Sequence, residues 1–583
     1  MAETKIERYE RVKREQNPWD ELPRLLADLR AGYGALAPDD VNTRLRWWGI
    51  YTQGDGSGAL GGAAPYFMLR IRIPNGLLTA AQAAVIARLA RRYGRGLVDV
   101  TVRQNIQLHW LEAETLPDLL CALRQAGLTS QAACGDDPRN LTGCPLAGFD
   151  AEAYADASPL TLAANQALLA SGDYYNLPRK FKVSISGCAH WCSNPEINDA
   201  AFTALPPPAD GAAASGARGG ARGASEHGPG PTPGEVRFGL WVGGGLATAP
   251  RLATPLAVSV GWDEVVPVAC AIAALFRDCA ELRQNRHQAR LKYLFLRHHW
   301  TLARFRAELE QRLGFRLRDA APAPPPPAGF RDHLGVHPQR QPGLVYAGLS
   351  VLRGRLNADQ LEAVAEAAAR WGRGAAGAGE GEVRATAMQN LLIPHVSAAG
   401  APGLAAFLTR WDLPLEASAF RRGMMSCTGK EFCKLAVVET KGFAAALIAD
   451  LEHRLPGYAV PLKIHLNGCP NSCGQHWVAD IGLQGALVKT SAGVEDGYDV
   501  YLGGALGADA AIARKTLGRV RALELADRLA SLCRHFMDRR QADEPFAAFV
   551  RRQGAETLAA VLGSLPAAEP RPQLVRLAGA EVN

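Results

Sequence analysis

Twice along this chain, in the same order, strand-like alternation gives way to helical spacing. Residues 70–96, RIRIPNGLLTAAQAAVIARLARRYGRG, begin with alternating apolar and polar positions, pass a glycine turn and continue with apolar residues at helical intervals. Residues 348–374, GLSVLRGRLNADQLEAVAEAAARWGRG, repeat that course, so each predicts a strand, a turn and a helix. Another strand follows each: VTVRQNIQLHW (100–110) and ATAMQNLLIPH (385–395) share a threonine and a Gln-Asn pair in register. Further on, ISGCAHWCSNPEINDAAF (185–202) is echoed by HLNGCPNSCGQHWVADIGL (465–483). A duplication of this length predicts an α/β chain of two similar halves about a pseudo-twofold axis, with a shared site where they meet. Between the halves, APAPPPPAG (321–329) reads as a polyproline linker. The Gly, Ala and Pro-rich stretch 206–234 reads as a disordered surface insertion.

Positions that differ between the copies carry the chemistry. In 100–110 a period of two places Thr101, Arg103, Asn105, Gln107 and His109 on one face of a strand, and the second copy has Met388 in place of Arg103. In LPRKFKVSISG (177–187), Lys180, Lys182 and Ser184 share a face opposite Phe181, Val183 and Ile185. The bland reading is a solvated edge strand protected by lysines. With Arg139 from GDDPRNLTG, four cations would converge on one pocket, an arrangement that calls for an anion. The second half carries thiols instead: Cys427 and Cys433, then Cys469 and Cys473 around Pro470 and Asn471. Four cysteines as C-x5-C and C-x3-C are a complete ligand set for zinc or for an iron-sulfur cluster. Structural zinc usually sits on tighter C-x2-C turns, so the spacing favours the cluster.

Composition narrows the class. The chain has 583 residues and a net charge of +7, a mild bias toward anionic partners that falls short of a nucleic-acid footprint. No apolar run is long enough to cross a bilayer, and the N-terminus has no apolar core segment of an export signal, so a soluble cytoplasmic protein is expected. Twelve cysteines are then expected as buried thiols, metal ligands or catalytic groups. Cys188 and Cys192 stand where the second copy has Cys469 and Cys473; with Cys134 and Cys144 they read as structural thiols, not as a second metal site. His109 and His395 read as polar residues at strand ends, and Trp47 and Trp48 as core. The Gly-rich stretches 54–62 and 243–245 read as loops, leaving no fused dinucleotide module.

C-T-G-x3-C and G-C-P-N-x-C in the second half, with T-x-R-Q-N, an Arg-Asn turn and L-P-R-K-F-K in the first, resemble the sirohaem nitrite and sulfite reductases from about residue 45 to residue 555. The resemblance implies a 4Fe-4S cluster on Cys427, Cys433, Cys469 and Cys473, with Cys473 bridging to the sirohaem iron. It places the oxyanion among Arg103, Arg139, Lys180 and Lys182, and Arg103 and Asn105 beside the cofactor. It implies an α+β chain whose halves each contain a ferredoxin-like part and a sirohaem or cluster part: an N-terminal segment 1–62, ferredoxin-like 63–130, anion-binding 131–320, linker 321–340, ferredoxin-like 341–415, cluster domain 416–570 and tail 571–583. The expected reaction is six-electron reduction of nitrite to ammonia with electrons from a small acidic ferredoxin; sulfite to sulfide is the alternative, and a precorrin-modifying enzyme of the cobalamin pathway a third. EFCKLAVVETK and NPEINDAAF resemble the nitrite-reducing members, whereas Lys182 stands where those members often have Asn. Gly54 stands where an Arg often follows the Gln, which removes one expected contact to a cofactor carboxylate. An internal twofold makes a monomer the expectation.

Overall fold

The computed structural model describes residues 3–15, 17–54, 65–207, 235–327, 329, 331–373, 379–491 and 493–564. Most of the insertion at 206–234, most of the Gly-rich stretch at 54–62 and the tail lie outside them. Four sheets among the described residues carry the fold. Two are small and antiparallel, each backed by one of the repeat helices, Ala80–Tyr93 and Ala358–Trp371. Both helices start at a reciprocal capping box, Thr79 with Gln82 and Asn357 with Gln360, which satisfies otherwise orphaned N–H groups at the first turn.

The two small sheets exchange a strand. Leu77–Thr79, from the first half, completes the second sheet by pairing with Glu382–Arg384, and Arg355–Asn357, from the second half, pairs with Leu97–Asp99 in the first. Local alternation predicts a strand at these places but carries nothing about its partner. The exchange merges both halves into one apolar core that runs from Leu69 and Leu108 to Leu361 and Leu391. The two larger sheets keep separate cores. Each begins with three parallel strands, Thr142–Gly143, Val183–Ser186 and Ala200–Ala204 in the first half and Met424–Ser426, Ile464–Asn467 and Ile481–Thr490 in the second, and then turns antiparallel. Loops leaving the first two parallel strands of each sheet hold the cysteines.

The expected single strand 100–110 is broken. Strands run Leu97–Val100 and Ile106–Leu111, and residues 101–105 form the hairpin between them. Thr101 Oγ1 accepts from the N–H groups of Arg103 and Asn105, and Gln104 takes a positive φ of 56°, so hydroxyl-to-backbone bonding wins over the ladder. Gln104 is a cross-brace. Its amide donates toward the carbonyls of Asn75, Gly143 and Ala385, and its oxygen accepts from Gly143 N–H. Gln389 does the same in mirror image, bonding Val100 O, Ser426 O and Ser426 N–H. Each Gln of the repeated Gln-Asn pair therefore ties its hairpin both to the other half and to the large sheet of its own half. Gln104→Ala strands several buried backbone groups at about 1–3 kcal/mol each, and the expected loss of unfolding free energy, measured by denaturant titration, is about 3 kcal/mol or more.

At the N-terminus, the helix Lys5–Glu15 docks onto the first half: Lys13 is buried, donates to Leu177 O at 2.9 Å and lies 3.4 Å from Asp136. Trp47 is core and Trp48 packs against it, as expected. His109 is not a strand-end polar residue: it is buried, 3.0 Å from Gln53 and 3.3 Å from Asp99, and stacks at 4.2 Å on Phe432 of the cysteine loop. No helix among the described residues is long and apolar enough to cross a membrane.

Candidate active site

Lys180 and Lys182 lie on the extended run into the strand Val183–Ser186, which is interior to its sheet, between Thr142–Gly143 and Ala200–Ala204. The edge-strand reading is thereby removed. Phe181, Val183 and Ile185 fill the core, so alternation turns both ammonium groups and Ser184 to the opposite face. Arg103 reaches that face from the hairpin tip, donating to Asn198 Oδ1 at 2.8 Å and Asn140 O at 2.5 Å. Arg139 donates to the carbonyls of Gly135 at 2.9 Å and Ala133 at 3.1 Å, clamping the turn that precedes it. Asn105 is committed elsewhere, its Oδ1 accepting from Ile73 N–H at 3.2 Å.

The electrostatics are those of crowded cations. Burial, with Arg290 and then Arg179 and Arg139 adding to it, lowers the Lys180 ammonium to about 7, although the Cys473 thiol opposes the shift. The opposing effect comes from a cysteine of the second half. Lys182 is driven well below its ordinary value by burial and by Arg103, Arg290 and Lys180. Arg103 is lowered to about 9 by burial and then by Arg139. Two members of the site escaped the sequence reading. Arg290 is buried and holds Asp199 at 2.8 Å, and the same carboxylate accepts from Lys182 N–H at 2.9 Å. The repeat held a signal for Asp199, because Asp480 accepts from Lys463 N–H at 2.8 Å at the matching place in the second copy. Arg290 lies in an irregular segment with no periodicity to read.

Cys427, Cys433, Cys469 and Cys473 gather on the loops that follow Met424–Ser426 and Ile464–Asn467. Gly468 N–H points at Cys427 Sγ at 3.2 Å, and backbone N–H groups of Leu435, Ala436 and Asn471 face Cys433 and Cys469. Such donors lower the cost of buried negative charge on sulfur, which suits an iron-sulfur cluster. Beside the cations, Arg103 Nε, Thr142 Oγ1, Ser184 Oγ and Asn140 Oδ1 are buried without a partner among the described residues. A carboxylate-bearing group or an anion would accept from Arg103 Nε, Thr142 Oγ1 and Ser184 Oγ, so these three donors fit both a charged macrocycle and an oxyanion. A cavity of about 540 Å³ lies at the mirror position, lined by Met388, Lys463, His465 and Cys192. It has Met388 where the first half has Arg103, so the cationic side is the candidate site for an anion.

Known proteins resemble this chain along most of its length. The model of the nitrite and sulphite reductase 4Fe-4S domain matches residues 134–317 and 417–569, and that of the nitrite/sulfite reductase ferredoxin-like half domain matches 62–126 and 337–410. A sulfite reductase [ferredoxin] of Mycobacterium tuberculosis is 35% identical across 94% of this chain and 95% of its own. A ferredoxin–nitrite reductase of Synechococcus elongatus is 36% identical across 91% of this chain and 96% of its own. The solved structure of the Mycobacterium tuberculosis NirA protein superposes with a TM-score of 0.84 at 34% identity, covering 94% of this chain and 97% of that one.

Proposed function

The chain belongs to the nitrite and sulphite reductase family, oxidoreductases with a 4Fe-4S cluster and sirohaem, and from that premise we propose that it reduces sulfite to sulfide in preference to nitrite to ammonia. One observation carries the choice: Lys182 shares its pocket with Lys180, Arg103 and Arg290, and its nearby carboxylate, Asp199, is already held by Arg290. With Asp199 taken by Arg290, the two lysines have no carboxylate of their own and take up protons as an anion enters, which favours the more highly charged anion. The sequence stretches that resemble nitrite-reducing members lie outside this pocket, and the relatives include both activities, so the pocket is given more weight.

Cys427, Cys433, Cys469 and Cys473 would hold the cluster, and Cys473, whose thiol acts on Lys180, would also hold the sirohaem. When bound, the two groups supply the iron that takes the anion and the store from which electrons arrive one at a time. The protein's part is to bind, orient and protonate. Arg103, fixed by Asn198 and Asn140, and Arg139, fixed by the 133–135 turn, orient the anion and offset charge as S–O bonds break. Lys180, lowered to about 7, holds a proton it can give up near neutral pH, and Lys182 follows once an anion raises its affinity for one. A small acidic ferredoxin is the donor this reading expects, supported by the names of the relatives and by a net charge of +7. The enzyme is read as a cytoplasmic monomer, its internal duplication already supplying a twofold.

Lys182→Asn is expected to cut kcat/KM for sulfite about tenfold more than for nitrite, the scale of one charge-assisted contact. Paired steady-state assays on one preparation check this; equal losses would remove Lys182 as the discriminating residue.

A further inference from the structure

The cysteines that stand closest together among the described residues are not those of the cluster. Cys144, Cys188 and Cys192, in the first half, hold their sulfurs within 4.8 Å of one another. Cys188 and Cys192 are 3.8 Å apart, and Ser186 Oγ lies 3.8 Å from Cys188 Sγ and accepts from Ser193 Oγ at 3.2 Å. Cys144 and Cys188 are buried, and Cys192 lines the large cavity at the mirror of the anion site. Sequence reasoning took these thiols as structural; the fold gives them a common origin with the cluster ligands. Cys144 follows the strand Thr142–Gly143 as Cys427 follows Met424–Ser426, and Cys188 and Cys192 match Cys469 and Cys473. Aligning CPLAGFD with CTGKEFC puts Asp150 in the place of Cys433, and Asp150 is occupied by Arg331 at 2.9 and 3.0 Å.

We propose that Cys144, Cys188 and Cys192 bind a single zinc ion, making the first half a second metal centre distinct from the cluster. The spacing decides between a lone ion and a cluster. Zinc bonds sulfur at about 2.3 Å, and a tetrahedron of that size sets its sulfurs about 3.8 Å apart, the separation found for Cys188 and Cys192. In a cubane each thiolate sits on a different iron and the sulfurs spread wider; Cys427, Cys433, Cys469 and Cys473 form no comparably tight group. With Asp150 held by Arg331, the centre has three protein thiolates and a fourth position supplied from the cavity side. His333, buried with its Nδ1 unpartnered among the described residues, lines the same cavity as Cys192. Binding converts three thiols to thiolates and releases their three protons, with no change of oxidation state. An open fourth position is the mark of a site that can exchange a ligand.

The test is elemental analysis and zinc K-edge spectroscopy on the holoenzyme, purified without a metal-affinity step after incubation with zinc sulfate. The expected result is about one tightly held zinc per chain with three sulfur neighbours at about 2.3 Å. Cys188→Ala/Cys192→Ala should lose that zinc while keeping the iron content and visible spectrum of wild type. Wild-type enzyme with no bound zinc, with a Cys188–Cys192 disulfide found by mass spectrometry, or with the extra iron of a second cluster would overturn the proposal. The wild-type measurement stands even if the double variant does not fold.

Discussion

Lys180→Ala is expected to lower kcat for oxyanion reduction by about 10²–10⁴-fold, the range for loss of a positioned proton donor, with little change in stability. The second expectation follows from the crowding. Lys180 sits among Arg290, Arg179 and Arg139, and removing one like charge relieves repulsion, so the melting temperature should hold or rise. Lys180→Arg separates binding from protonation. Guanidinium keeps the charge but gives up no proton in the working range, so KM for the anion should stay near wild type while kcat stays low. The pH profile is the further readout. Lysine in water keeps its proton to about 10.4, whereas Lys180 is lowered to about 7. The protonated form is the active one, so kcat/KM falls as pH rises, with a midpoint much nearer 7 than 10.4. Nitrite is the substrate for that profile because it remains a monoanion throughout, so the titration belongs to the protein. An unchanged profile in Lys180→Arg would assign the proton to another group.

Cys473→Ser should abolish activity, by about 10³-fold or more, as expected when one obligatory member of a catalytic unit is removed. Cys473 is exposed in the chain, unlike the buried Cys469, so the substitution removes a ligand without opening the core. The apo protein should therefore melt as wild type does, while the visible spectrum of the loaded enzyme loses the signature of cluster and sirohaem acting together. Cys469→Ser, by contrast, alters a buried position and should lower both iron content and stability. Wild-type turnover in Cys473→Ser would remove this cysteine from the cofactor assembly.

Much of this site was legible in the sequence because its signals are local or repeated. The four cluster cysteines keep fixed spacings, and comparing the copies singled out Arg103 against Met388. What escaped depends on contacts distant in the chain. Strand exchange was invisible because alternation at 77–79 and 355–357 states that a strand forms and not which strand it joins. The hairpin at 101–105 was hidden because alternation of residue type runs straight through it, while Thr101 and the positive φ of Gln104 decide the backbone. Lys180 and Lys182 were assigned the correct face, but the central place of their strand is set by 142–143 and 200–204. Arg290, 91 residues from Asp199, has no local pattern that could announce the pair. The closeness of the first-half thiols is not legible either, because a sequence gives the spacing of cysteines along the chain and not the distance between sulfurs.

The most direct test of the central claim is anaerobic steady-state turnover of the reconstituted holoenzyme with reduced methyl viologen, comparing kcat/KM for sulfite and for nitrite in one preparation. A cationic pocket of four side chains with its nearby carboxylate already engaged predicts the higher value for sulfite. A higher value for nitrite would contradict that reading of the pocket, and turnover of neither anion would contradict the assignment of the pocket as the reducing site.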